Sequence, residues 1–418
     1  MYLLSDRASR ACDTLDAALQ TLVDFSAEEQ LKVLEDGACD LVSRDELLGR
    51  LRASVLSKRP LRVKAGFDPT RPDLHLGHAV LLAKLRQFQR FGHTVVLVVG
   101  NFTAMIGDPS GKSKTRPALT EAEVDAATAT YAEQVFTLLY REQTDVVFNR
   151  DWLGRMTFAD VIRLASQSTL AAVMARHDFH ERFADKQPIA LHELLYPLAQ
   201  AQDSVCLDCD VEIGGTDQLF NLMLGRDLMK QAGQQPQVVM TLPLLEGVSG
   251  PEKMSKSLGN YVGLTESPFE QISKLMSISD ERLWHYVDAL GTLVEADLVR
   301  VHRADPRRAK LLFATNVAAA LHSVDAATMA AIAWEFQFSR GEQPADMPEV
   351  QLGILDTRVV DALVVSGLAK SKSEARRKID EHAVKLNGEV VLHDHPLPAG
   401  PRHVLKLGRR WARVTFDG

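Results

Sequence analysis

Leu61-Arg62-Val63-Lys64-Ala65-Gly66-Phe67 runs straight into Asp68-Pro69-Thr70, and His75-Leu76-Gly77-His78 follows shortly after. The first seven residues are a short β-rich run, the Asp-Pro pair makes a tight turn, and the HxGH tetrad opens a helical stretch. A strand that turns directly into a helix is the repeating unit of a parallel sheet. The free amides and partial positive charge at the start of such a helix suit phosphate groups. Gly77 permits close approach to the backbone, and His75 and His78 can donate hydrogen bonds to a phosphate on which charge builds.

Outward from this point the alternation continues. β-rich runs recur at Thr94–Gly100, Val146–Asn149, Val211–Gly214 and Val238–Leu242, with helical stretches between them. The pattern predicts a doubly wound parallel sheet, with ligands at the carboxyl ends of its strands. Residues 1–58 read as a helical extension ahead of Pro60. From Pro268 to about Gln343 strand signals cease, and the pattern is of helices broken at Gly291 and at Asp305-Pro306. From about Gln351 it changes again. Val359–Val365 reads as a short helix stopped by Gly367, and Ser371-Lys372-Ser373-Glu374 as a capping box. Asn387-Gly388 sits between Val384-Lys385-Leu386 and Glu389-Val390-Val391, a strong hairpin signal.

The 418 residues are 46% hydrophobic and 25% charged, which places them among ordinary globular chains of two or three domains. No apolar run approaches the roughly 18 residues of a membrane span, and the N-terminus lacks the pattern of a secretory leader. Of four cysteines, only Cys206 and Cys209 form a CxxC pair. No second pair or suitably spaced histidines follow, so a structural or incidental role is expected rather than zinc. Sparse cysteine fits a reducing cytoplasm. The net charge is -7, yet from Gln351 onward 12 lysines and arginines face 8 aspartates and glutamates. A basic tail on an acidic body suggests an appendage that contacts RNA.

Three further stretches carry chemistry. Lys253-Met254-Ser255-Lys256-Ser257 follows the glycine- and proline-containing Glu246–Glu252, so two lysines sit on a loop able to close over phosphates; alone, it reads equally as a solvated basic loop. Gly214-Gly215-Thr216-Asp217-Gln218 ends another strand, with Thr216 placed to cap the next helix. Tyr196, Gln200 and Asp203 share one helical face, which taken alone could be an ordinary polar face. Gly107-Asp108-Pro109-Ser110-Gly111-Lys112-Ser113 looks like a phosphate loop but has three residues between its glycines where that motif needs four.

HLGH near the start of a parallel sheet and KMSKS after its last strand together resemble the class I aminoacyl-tRNA synthetases, from about Leu61 to the end of the chain. The Tyr196–Gln200–Asp203 face resembles the amino-acid-binding helix of the tyrosyl-tRNA synthetases. The resemblance implies catalytic roles for His75, His78, Lys253 and Lys256. It implies ATP contacts at Asp68, Thr70, Gly77, Gly214, Asp217 and Lys256. It implies tyrosine contacts at Asp108, Tyr196, Gln200, Asp203 and Gln218, with Asp203 accepting the phenol hydroxyl. A pocket built to bond a hydroxyl rejects the analogue lacking it by roughly 10^4 to 10^5, a figure that comes from a tyrosyl enzyme itself. In one branch of the family a second phenol contact, a tyrosine, stands two residues before the glycine of GFDPT. Here that position is Lys64, as in a branch with the KMSKS loop, and Asp203 is the one phenol contact carried over.

The C-terminal stretch resembles a small RNA-binding domain shared with a ribosomal small-subunit protein, in which Lys372, Arg376, Arg377 and Lys378 would neutralise phosphates. Lys370, Lys385 and Arg409-Arg410 add charge; alone, the helix is a solvated basic face. The expected architecture is α/β: a Rossmann-like catalytic domain at 59–262 with an insertion at about 152–189. An α-helical anticodon-arm domain at 263–345 follows, then a small α+β RNA-binding domain at 351–418. The resemblance further implies ATP with Mg2+, tyrosine and tRNA(Tyr) as substrates, no metal of the protein's own, a homodimer joined through the insertion, no membrane contact and a cytoplasmic setting. A tryptophanyl-tRNA synthetase and a catalytically inactive RNA-binding relative are the alternatives.

Overall fold

The computed structural model describes residues 22, 24–69, 73–110, 120–339, 347–352, 357–398, 402–408 and 410–416. The chain divides into two compact units, residues 1–328 and 329–418.

The first unit is built on a six-stranded sheet. Its strands are β1 (Asp40–Val42), β2 (Arg62–Phe67), β3 (Thr94–Val99), β4 (Thr144–Phe148), β5 (Val211–Gly215) and β6 (Val238–Leu242), in the order β1-β6-β5-β2-β3-β4. β2 to β6 run parallel, and β1 adds to β6 antiparallel. Strands covered on both faces must be apolar along their length, and Val95 to Val99 of β3 are each no more than 1% exposed. Helix Leu76–Arg90 packs on this sheet through Ala79, Val80, Leu82, Ala83 and Phe88. From β2 the chain proceeds to β3 and β4 on one side, whereas β5 and β6 lie on the other. The switch leaves a crevice at the carboxyl ends of β2 and β5.

Two features differ from the sequence expectation. β1 lies inside the stretch expected to be wholly helical; three residues are too few for an alternating signal. That stretch also contains helices Ala27–Leu34, capped by Ser26, and Arg44–Ser57, capped by Ser43. β4 begins at Thr144, two residues earlier than the sequence suggests.

After β6 come helices Pro268–Leu275, Asp280–Ala289, Ala296–Arg300 and Pro306–Leu321. Breaks fall at Gly291 and at Asp305-Pro306 as expected, and two more, at 276–279 and 322–323, were not expected; Asp305 caps helix Pro306–Leu321, accepting the Arg308 amide at 3.1 Å.

The second unit carries a five-stranded sheet of β7 (Glu349–Leu352), β8 (Val384–Leu386), β9 (Glu389–Val390), β10 (Arg402–Leu407) and β11 (Arg410–Phe416), in the order β7-β11-β10-β8-β9. Helices Val359–Val365 and Lys372–Asp380 share a core with it, formed by Val360, Leu363, Ile379, Leu405 and Val414. The Asn387-Gly388 turn has φ of 51° and 95°, both left-handed, as a two-residue hairpin requires. The capping box is only half formed as expected. Ser371 accepts the Glu374 amide, but the Glu374 carboxylate reaches the amide of Lys370 rather than that of Ser371. Sequence reading found the β8–β9 hairpin and missed β7, β10 and β11.

Candidate active site

The crevice at the ends of β2 and β5 opens into a cavity of about 230 Å³. Asp68, His75, Gly77, His78, Asp108, Tyr196, Gln200, Asp203, Gly214, Asp217, Gln218 and Lys253 all line it. These residues come from five separate stretches of chain, and sequence reasoning had picked each. A larger cavity of about 640 Å³, beside Lys84 and residues 288–300, contains none of them. Thr70 and Lys112 lie outside the described residues. Lys256 does not line the cavity; its ammonium stands 5.6 Å from the centre of the Tyr131 ring.

The two motif histidines are locked by the helix they begin. His75 is the N-cap, and its Nδ1 accepts the Gly77 amide at 3.2 Å. His78 Nδ1 accepts the His75 amide at 3.2 Å. A Cβ on Gly77 would sit 3.0 Å from the His75 ring, so this glycine makes room for the imidazole as well as for any ligand. Burial pushes His75 down to about 3, with Lys256 and Lys253 adding to the effect, and burial drives His78 well below the usual histidine range. Both rings are therefore neutral, with the remaining proton on Nε2. The histidines are thus neutral N–H donors, and among the four catalytic candidates the lysines carry the charge.

Asp68 is held by both carboxylate oxygens. Thr103 donates to Oδ1 at 2.6 Å and the Tyr196 hydroxyl to Oδ2 at 2.9 Å. Burial, then Asp68, push the Tyr196 hydroxyl well above the usual tyrosine range, so it remains a donor. Gln218 donates to Asp108 at 2.9 Å, and Asn221 donates to Gln200 at 2.9 Å and to Gln218 at 3.0 Å. Arg176 closes this network, donating to Asn221 and to Ser110 at 3.0 Å each. Asp203 accepts the Trp152 indole N–H at 2.8 Å and the Asn149 amide at 3.3 Å. Burial pushes its carboxyl up to about 7, with Lys64 the largest influence in the other direction.

The KMSKS stretch is tethered at Met254, which is 2% exposed, and at Ser255, whose amide donates to Asn260 at 2.7 Å. Lys253 pairs with Asp217 at 2.6 Å, an ion pair in which the lysine is more than half exposed. Thr216 does not cap the helix after it: its side chain is exposed and makes no capping bond.

Thr103, Asn149, Trp152, Arg176 and Asn221 were not anticipated. Asn149 sits just past the end of β4, where the strand-end rule could have found it. Arg176 carries no local signal, because its partner Ser110 is 66 residues away.

The four basic candidates of the C-terminal stretch belong to the second unit. Lys372 pairs with Asp361 at 2.6 Å, Lys378 with Glu381 at 2.6 Å and Arg377 with Glu381 at 3.7 Å, while Arg376 is exposed. Arg410 donates to the Leu368 carbonyl; Arg409 lies outside the described residues.

Comparison with known proteins is consistent along the chain. Residues 56–339 match the family of class I tRNA synthetases for tryptophan and tyrosine, and residues 339–394 match the SYY-like C-terminal domain of tyrosine–tRNA ligases. The tyrosine–tRNA ligases of Geobacter metallireducens and Nitrosomonas europaea are each 47% identical over 94% of this chain, spanning 100% and 97% of their own lengths. That of Aquifex aeolicus is 49% identical over 88% of the chain and 93% of its own. Among solved structures, a C-terminally truncated mitochondrial tyrosyl-tRNA synthetase from Aspergillus nidulans matches with a TM-score of 0.61 at 20% identity, covering 78% of this chain and 99% of its own. A tyrosyl-tRNA synthetase from Archaeoglobus fulgidus, complexed with L-tyrosine, matches with 0.59 at 22%, covering 73% and 99%. These two share the fold.

Proposed function

The chain belongs to the class I tyrosyl-tRNA synthetases, and from that premise we propose that the cavity between β2 and β5 is where it activates tyrosine with ATP and then charges tRNA(Tyr). The observation that carries this reading is the convergence on one cavity of the HLGH histidines, the Tyr196–Asp203 face, Gly214–Gln218 and Lys253.

In the first step the tyrosine carboxylate attacks the α-phosphorus of ATP in line, and pyrophosphate leaves. The carboxylate is already a nucleophile, so catalysis is positioning and charge stabilisation. Asp108, Tyr196, Gln200 and Gln218 hold the substrate ammonium, and Asp203 accepts the phenol. The Nε2–H groups of His75 and His78 donate to the phosphate oxygens as charge builds there. Asp68, Thr70, Gly77 and Gly214 make up the ATP side, and Mg2+ enters as part of the ATP complex. Lys253 and Lys256 close over the departing pyrophosphate. Lys253 must first leave Asp217, but an exposed ion pair is worth only about 0.2–1 kcal/mol. Once released, Asp217 is available to the ribose hydroxyls. In the second step the terminal ribose of tRNA(Tyr) takes the tyrosyl group.

Lys372, Arg376, Arg377 and Lys378 neutralise tRNA phosphates. Their surface ion pairs are weak, so phosphates displace the carboxylates readily. The chain works as a homodimer joined through the insertion. This is supported by Phe158, Ile162, Leu170 and Phe183, apolar side chains left exposed there. Phe158→Ser combined with Ile162→Ser should shift the sedimentation coefficient to that of a monomer; an unshifted boundary would refute this interface. A cytoplasmic setting fits the sparse cysteines, and among the described residues no helix is long and apolar enough to cross a membrane.

Amino-acid-dependent ATP–pyrophosphate exchange with tyrosine, phenylalanine and tryptophan in parallel tests the activation step and its substrate. Exchange with tyrosine alone is expected. Exchange with tryptophan would overturn the substrate, and none with any of the three would overturn the chemistry.

A further inference from the structure

Lys64 takes no part in the scheme above, yet it is a buried cation set just behind the cavity wall. It lies in β2 and is 1% exposed. Its register partner on β5 is Glu212, and the two charged groups are 3.0 Å apart. Its ammonium also donates to the Ser204 hydroxyl at 2.7 Å, and Ser204 follows Asp203 in the helix. Glu212 lines the same cavity as Asp203, and accepts the Ser204 hydroxyl at 3.1 Å and a Gln237 amide N–H. Lys64 thus neutralises a carboxylate, Glu212, that shares the cavity wall with Asp203, and it is bonded to the residue next to Asp203.

As a purely structural link between β2 and β5 this pair is a poor device. Two charges removed from water gain little over an apolar pair of the same volume. Beside a third charged group it acquires a use. Asp203 refuses phenylalanine most strongly when ionised, because phenylalanine then leaves a buried charge with the Trp152 and Asn149 donors but without the phenol hydroxyl. Protonated, it incurs a smaller penalty, and the distinction between the two substrates narrows. Burial alone favours the protonated form.

We propose that Lys64 is a positioning residue for specificity: paired with Glu212, it draws Asp203 toward the ionised form and so raises the preference for tyrosine over phenylalanine. The proposal rests on the reading of Asp203 as phenol acceptor. The titratable groups around Asp203 are Lys64 from β2, Glu212 from β5, and Tyr196 and Cys206 on its own helix; Asp68, on the same cavity, takes the Tyr196 hydroxyl. Trp152 and Asn149 add neutral donors. Among these Lys64 is the cation, and Glu212 opposes it.

The two partners must therefore act with opposite sign. Lys64→Met leaves Glu212 as a bare like charge, and Asp203 ionises only at higher pH. Glu212→Gln leaves Lys64 facing Asp203 alone, and ionisation moves to lower pH. A structural role would make both variants merely less stable. The experiment is pyrophosphate exchange on the full chain from pH 6 to 9, with tyrosine and phenylalanine, for the unaltered protein, Lys64→Met, Lys64→Arg, Glu212→Gln and Asp203→Asn. The rising limb of kcat/KM for tyrosine reports the free-enzyme ionisation. Its midpoint is expected to rise in Lys64→Met, fall in Glu212→Gln and stay in Lys64→Arg. Below the midpoint each unit of displacement changes kcat/KM about tenfold, and the tyrosine-to-phenylalanine ratio at pH 7 should fall in Lys64→Met by about that factor. Midpoints that coincide, or that move in the same direction for Lys64→Met and Glu212→Gln, overturn the proposal. Should Lys64→Met fail to fold, an unmoved midpoint in Glu212→Gln does so by itself. If Asp203→Asn keeps both the limb and the tyrosine preference, it is the reading of Asp203 that fails, and the proposal with it.

Discussion

Gly100→Ala should disable tyrosine activation without touching a single motif residue. Gly100 follows β3, and a Cβ built on it would lie 2.0 Å from Asp68 Oδ1 and 2.4 Å from Thr103 Oγ1. Neither approach is possible, so the Asp68 carboxylate must move. Its movement breaks the bond from Thr103 and the bond from the Tyr196 hydroxyl. Hydrogen bonds to a charged group contribute about 1.5–3 kcal/mol each. Losing both bounds the cost at about 3–6 kcal/mol, part of it recovered by water. If the Tyr196 contact alone reports on substrate, kcat/KM for tyrosine falls about 10- to 150-fold. The assay is pyrophosphate exchange with urea unfolding in parallel, and Gly66→Ala is the control. Gly66 lines the same cavity, but its Cβ would meet nothing within 4 Å, so Gly66→Ala should keep its stability. A Gly100→Ala protein with unaltered stability and unaltered kcat/KM would refute the reasoning, because Asp68 would then have a second, equally good seat.

His78→Ala removes one neutral donor and should slow single-turnover adenylate formation by roughly 10^2–10^3 while leaving tyrosine affinity by equilibrium dialysis nearly unchanged; the opposite pattern would assign it to binding. Arg182 of the insertion and Glu193 just after it, both nearly fully buried and 2.6 Å apart, form an ion pair. Arg182→Met leaves the buried Glu193 carboxylate without that guanidinium and should cost about 3–5 kcal/mol in urea unfolding, much of it restored by adding Glu193→Leu. Asp203, raised to about 7, keeps in the folded state a proton that the unfolded chain loses near pH 4. Its contribution to stability therefore falls as pH rises from about 4 to about 7, by up to about 4 kcal/mol. Asp203→Asn should flatten that part of the stability–pH curve, and an unchanged slope would mean that Asp203 is ionised throughout.

Much of the fold was legible because buried parallel strands advertise themselves. β3 is Thr-Val-Val-Leu-Val-Val, and no amphipathic helix reads that way. The cavity was legible for a related reason: Gly66–Asp68, Gly214–Gln218 and HLGH stand where strands end. β10 and β11 do alternate, with Leu405, Leu407, Ala412 and Val414 turned into the core. Lys406, Arg410 and Arg413 dilute that signal. Asn149 and Trp152 escaped because their meaning lies in a partner more than 50 residues away, Asp203. The charge state of His75 and His78 escaped because burial, not residue type, decides it.

The short β1 has a consequence for the solution behaviour of the chain. β6 is buried along all five of its residues, Val-Val-Met-Thr-Leu, and β1 is what pairs its outer side. Cys39 and Asp40 meet Thr241 through an amide-to-carbonyl bond at 2.8 Å and an amide-to-hydroxyl bond at 3.1 Å. A chain shortened to begin after Val42 would present β6 as a bare apolar edge, the kind of template on which strands of neighbouring molecules add. The stretch ahead of the catalytic sheet thus serves as its hem, and trimming it would be felt first as aggregation rather than as lost activity.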